Sequence, residues 1–205
     1  MTEVSIQPAD QSDRRSENRH RMIMRAGLLD QVGKPFFCLI KNVSSSGIQV
    51  KLYTSAAHTG KVVIRVADEN PIEGQILWIR DGSAGISFDE CIDSATFLRL
   101  QQKLRPERRR AVPRVKATSY AALLVAGRTI QAVLRDVSYM GAKVTTSRWL
   151  EAGTSISIRL PDLPEMRGSV RWTEGSDSGI AFETPIPMHV ISQWIEGRLR
   201  VATCS

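Results

Sequence analysis

Cysteine is scarce in this chain: Cys38, Cys91 and Cys204 are the only three in 205 residues, far apart and without a CxxC pair. Such a set supplies neither a disulfide framework nor a thiolate metal site, so the thiols read as buried or terminal. Long apolar runs are also missing. No stretch reaches the roughly 18 uncharged apolar residues of a membrane-spanning helix, and no membrane insertion is expected. The opening MTEVSIQPADQSDRR is polar and mixed in charge, unlike a secretory signal, which leads to the expectation of a cytoplasmic protein. GxxxxGKS/T, GxGxxG, GxSxG and HExxH are absent, and His20, His58 and His189 stand apart from one another. Neither an enzyme nor a metal site is indicated.

What is there suits a folded, basic protein. A hydrophobic fraction of 42% and a charged fraction of 24% are ordinary globular values, enough for a core and unlike disorder, collagen or coiled coil. The net charge of +7 favours anionic partners. Most of that excess sits in one segment, Lys103 to Lys116, where Lys103, Arg105, Arg108, Arg109, Arg110, Arg114 and Lys116 face Glu107 alone.

Set against itself, the chain repeats. KNVSSSGIQV, from Lys41 to Val50, aligns with RDVSYMGAKV, from Arg135 to Val144, at an offset of 94 residues. The same offset then pairs Gly74 with Gly168, Trp78 with Trp172, Gly85 with Gly179 and Phe88 with Phe182. A constant register over several rare residues marks two tandem copies of one module. Within the copies, runs such as FFCLIKNV, GIQVKLY, KVVIRVA and GQILWIR, then TIQAVLRDV, GAKVTT, SISIRL, GSVRWT and SGIAFE, predict short strands of an antiparallel barrel or sandwich. Helical spacing predicts a helix over Ser94 to Leu104, ended by Pro106, and a counterpart over Met188 to Arg200. Residues 1–13 read as a flexible tail, 14–104 as the first domain and 105–205 as the second. The two tryptophans and two phenylalanines of the repeat read as packing residues.

Each copy holds D/N-x-S-x-x-G: Asn42, Ser44 and Gly47 in the first, Asp136, Ser138 and Gly141 in the second. On its own this predicts an Asx-type turn in which glycine takes a positive φ between two strands. Each copy also holds R-x-x-x-R upstream. Arg15 and Arg19 precede Asn42 by a gap of 23, and Arg110 and Arg114 precede Asp136 by 22, with Arg14, Arg21, Arg108 and Arg109 close enough to share the role.

On these paired motifs the sequence resembles the PilZ domain family, as two tandem copies over nearly the whole chain after the tail. The resemblance implies a mainly β fold: two six-stranded antiparallel β-barrels, each followed by a C-terminal helix. It also implies binding of the bacterial second messenger cyclic di-GMP and an output through a protein partner in motility, exopolysaccharide production or a related process. Carried over by position, Arg110, Arg114 and neighbouring Arg109 hold phosphate and guanine, while Asp136, Ser138 and Gly141 line the floor. Arg15, Arg19 and neighbouring Arg14, with Asn42, Ser44 and Gly47, form a second site, weaker because Asn42 lacks the charge of Asp136. Guanidinium chemistry suits this ligand, because arginine can fork onto phosphate and guanine acceptors and stack on flat rings. The arginines of residues 103–116 also lie in the segment joining the two copies, so ligand binding there is expected to rearrange one barrel against the other. The alternatives are a basic nucleic-acid-binding module and a structural adaptor without ligand.

Overall fold

The computed structural model describes residues 20–66, 70–93 and 112–202. It contains twelve strands in two closed antiparallel barrels. The first barrel comprises β1 (His20–Gln31), β2 (Lys34–Val43), β3 (Gly47–Leu52), β4 (Gly60–Arg65), β5 (Ile72–Arg80) and β6 (Ser83–Phe88), in the order β1-β2-β3-β6-β5-β4 with β1 closing on β4. The second comprises β7 (Val115–Val125), β8 (Arg128–Ser138), β9 (Gly141–Thr145), β10 (Ser155–Arg159), β11 (Met166–Glu174) and β12 (Asp177–Phe182), in the matching order. β1 and β7, the first strand of each barrel, are not among the runs that the sequence pattern predicts. They are also the longest strands of their barrels, jointly with β8 in the second.

Closure removes free sheet edges and leaves two apolar interiors. Leu29, Phe36, Cys38, Ile40, Val50, Ile64, Ile76 and Ile86 fill the first; Leu123, Leu134, Val144, Ile158, Val170 and Ile180 fill the second. Phe88 and Phe182 are buried, as packing residues should be. Cys38 is fully buried, and burial pushes its thiol up to about 12, so it stays protonated at neutral pH. Cys91 is exposed.

One helix, α1 (Met188–Ala202), follows the second barrel. It covers that barrel with Ile191, Trp194 and Ile195, and Trp194 Nε1 donates to the carbonyl of Pro161 at 2.7 Å. Its contacts extend to β2 of the first barrel, where Phe37, with Leu28 of β1, joins the same apolar cluster. The helix expected over residues 94–104 and the tail at 1–13 lie outside the described residues. No helix among the described residues is long and apolar enough to cross a membrane.

Candidate functional site

A β-bulge places the acidic residue of the motif. Along β8, Leu134 pairs with Val144 and Asp136 with Lys143, so two steps on β8 match one on β9. An extra residue shifts the alternation of side chains, which turns Arg135 and Asp136 to the same outer surface. β2 repeats the device: Ile40 pairs with Val50 and Asn42 with Gln49. A second bulge on β11, between Val170 and Trp172, brings Trp172 opposite Gly179, and β5 does the same for Trp78 and Gly85.

These bulges align one row of residues across the outside of each barrel. In the second it runs Lys116, Asp136, Lys143, Gly179, Trp172, each directly opposite the next. In the first it runs Asn42, Gln49, Gly85, Trp78, with Arg21 paired to Asn42 in the backbone register. The tryptophans are therefore not barrel-packing residues: Trp78 is 43% and Trp172 41% exposed. Each indole lies over the glycine opposite, where a Cβ would collide with the ring nitrogen, so glycine lets a flat aromatic surface rest on the barrel wall.

The turn also differs from the sequence expectation. Gly47 and Gly141 do not take a positive φ. Glycine is needed there because a Cβ would strike the carbonyl oxygens of Ile86 and Ile180 on the neighbouring strands. Nor does the Asp or Asn cap the turn. Serine does: the hydroxyl of Ser138 donates to the Gly141 carbonyl at 3.3 Å and accepts from the Met140 amide at 3.2 Å, and that of Ser44 donates to the Gly47 carbonyl at 3.2 Å. Ser138 is buried and serves the backbone, whereas Asp136 is freed to meet other side chains.

Asp136 meets an arginine of the upstream motif. Arg114 Nη1 donates to Asp136 Oδ1 at 2.5 Å, with the two side chains 41% and 22% exposed. Beside them Lys143 Nζ lies 2.7 Å from Asp177 Oδ2 and 5.9 Å from the centroid of the Trp172 ring. The Lys143 ammonium, bonded to Asp177, holds that carboxyl below its ordinary range, helped by the hydroxyl of Thr145. The second barrel thus presents two ion pairs, Arg114–Asp136 and Lys143–Asp177, and an exposed indole on one surface.

The first barrel presents the same row without charge at its centre. Asn42 Nδ2 donates to Gln49 Oε1 at 2.7 Å, and Asn42, Ser44, Gly47, Gln49, Trp78 and Ser87 are among the residues lining a cavity of about 310 Å³. Arg14, Arg15, Arg19, Arg109 and Arg110 lie outside the described residues. The pairing register nevertheless accounts for the gaps of 23 and 22. His20 pairs with Val43 as Val115 pairs with Val137, while the β1 bulge from Arg21 to Arg25 is one residue longer than the β7 bulge from Lys116 to Ser119. Arg19 therefore corresponds by count to Arg114. Lys143 and the outward tryptophans lie on these rows and are not among the residues expected from the sequence; the available signal is the repeated Trp-Gly pair, which a fixed alternation of side chains sends inward. Among the described residues no group of His, Cys, Asp and Glu could hold a metal ion.

The family model of the PilZ domain matches residues 107–197. No curated protein sequence matches the chain. Similar solved structures include Borreliella burgdorferi PlzA in complex with c-di-GMP, at 14% identity over 84% of this chain and 86% of that one with a TM-score of 0.37. Others are the Bacillus subtilis inhibitor of motility MotI/DgrA, at 13% identity over 88% and 99% with a TM-score of 0.37, and the K. pneumonia MrkH–c-di-GMP complex, at 14% over 87% and 89% with a TM-score of 0.35. The PilZ match takes in the second barrel and most of α1.

Proposed function

We propose that this chain is a cytoplasmic receptor for cyclic di-GMP that acts on a protein partner and is not an enzyme. The observation that carries this reading is the Arg114–Asp136 pair on the outer row of a PilZ domain, beside Lys143 and Trp172. Arginine and lysine supply charge-assisted bonds for two phosphates, the carboxylate of Asp136 can accept the N–H donors of guanine, and the indole offers a face for a purine ring. Arg109 and Arg110 stand a few residues upstream and join the same site in this reading. The first barrel is its second, weaker site, with Asn42, Ser44, Gly47 and the upstream Arg14, Arg15 and Arg19. Isothermal titration of cyclic di-GMP into the full chain should give micromolar binding or tighter. A few charge-assisted bonds of about 1.5–3 kcal/mol each, less the cost of association, leave the roughly 8 kcal/mol of such a complex. Absence of heat and of competition would overturn the receptor reading and leave nucleic-acid binding, measured against salt, as the next test.

The domains in this reading are 14–104 and 105–205. Residues 103–116 both join them and carry Arg110 and Arg114, so a ligand gripped by these arginines bears on the barrel-to-barrel arrangement, which is how the signal would reach a partner. Small-angle scattering should change on saturation with cyclic di-GMP. Superimposable profiles with and without it would refute the rearrangement.

A further inference from the structure

Two ion pairs lie on the site surface of the second barrel. Arg114 is held by Asp136, a residue of the recognised motif. Lys143 is held by Asp177, which belongs to no motif. We propose that Lys143 is a phosphate contact of the second barrel and that Asp177 competes with the ligand for it, so that this carboxylate sets the affinity of the site. The proposal rests on the receptor reading above.

The placement supports it in three ways. First, Lys143 lies opposite both Asp136 and Gly179, and its ammonium is 5.9 Å from the centroid of the Trp172 ring that covers Gly179, so an anion seated beside that ring and Asp136 would lie within its reach. Lysine is a point charge on a flexible stem and can exchange one oxygen partner for another. Second, Asp177 is the fixed partner. Its Oδ1 accepts from Thr145 Oγ1 at 2.6 Å, and Thr145 Oγ1 in turn accepts from Arg135 Nε at 2.9 Å. The carboxylate therefore stays at the edge of the row as a standing negative charge that an anionic ligand meets. Third, the pair is present or absent as a unit. At the corresponding positions the first barrel has Gln49 in place of Lys143 and Ser83 in place of Asp177, while Lys41 donates to the Ser83 hydroxyl at 3.4 Å. Both charges have gone together, as expected of two residues whose effects oppose each other.

Asp177→Asn removes the charge while keeping an oxygen for the Thr145 hydroxyl. Titration of cyclic di-GMP should show binding about three- to tenfold tighter than in the unaltered chain, the scale of one partly exposed charge pair. The gain should shrink as salt is raised. Lys143→Gln should weaken binding by a similar factor, and Asp177→Asn added to Lys143→Gln should give a smaller gain than it gives alone, because the competition it relieves is gone. Asp177→Ser, the first barrel's residue at this position, offers a second route should the asparagine variant be unstable. Binding by the unaltered chain with no gain in either Asp177 variant, or an equal gain with and without Lys143, overturns the inference alone. No binding by the unaltered chain overturns the receptor reading and this inference with it.

Discussion

Arg114→Ala should weaken cyclic di-GMP binding roughly ten- to a hundredfold, the scale of losing charge-assisted bonds of about 1.5–3 kcal/mol. The side chain is already held 2.5 Å from Asp136 of the outer row, so its guanidinium needs little reorganisation to present its remaining donors. Arg114→Lys should recover only part of the loss, because an ammonium keeps the charge and gives up the forked, flat geometry. Asp136→Ala should also weaken binding, by releasing Arg114 and by removing an acceptor for guanine. Asn42→Ala should cost less, since Asn42 is neutral and bonded to Gln49. Parallel titrations of the four variants decide the matter. Full binding by Arg114→Ala, or a larger loss from Asn42→Ala than from Asp136→Ala, would move the main site to the first barrel.

Much of this arrangement was legible in the sequence. The offset of 94 residues gave the duplication, and strand-like runs between turn residues gave an antiparallel barrel or sandwich, which the PilZ resemblance narrowed to two barrels. What stayed hidden depends on irregularity and on distance in the chain. A bulge changes which face every later residue occupies, so Trp78 and Trp172 read as interior although they lie outside. Lys143 carries no local mark, because its importance comes from lying across the ladder from Asp136. β1 and β7 escaped because Ala-rich and Gly-containing stretches such as VKATSYAALLV and MRAGLL lack strong strand propensity and are held by pairing on both sides. The role of Gly141 reversed because the constraint is a carbonyl of Ile180 on another strand rather than its own φ.

The docking of α1 on the first barrel was readable only as a difference between the copies, and it carries the second large prediction. Adjacent phenylalanines have opposite tasks: Phe36 belongs to the interior of the first barrel, whereas Phe37 and its neighbour Leu28 in register join the cluster built around α1 and the second barrel. At the corresponding positions of the second barrel stand Gln131 and Ala122, and Tyr120, which corresponds to the buried Ala26, is 81% exposed. The outer face of β1 and β2 is thus apolar where α1 reaches the first barrel, whereas the matching face of β7 and β8 carries Gln131, Ala122 and the exposed Tyr120. Phe37→Ala should weaken docking by about 3–5 kcal/mol, the usual cost of truncating a fully buried phenylalanine, while leaving the interior of the first barrel intact. Scattering should then report a wider separation of the barrels, and hydrogen exchange should rise in α1 and along the outer strands β1 and β2 but not in β3 or β6. Phe36→Ala should instead unfold the first barrel, raising exchange throughout it. If Phe37→Ala behaves like Phe36→Ala, or leaves both scattering and exchange unchanged, the helix does not hold the two barrels together through this face.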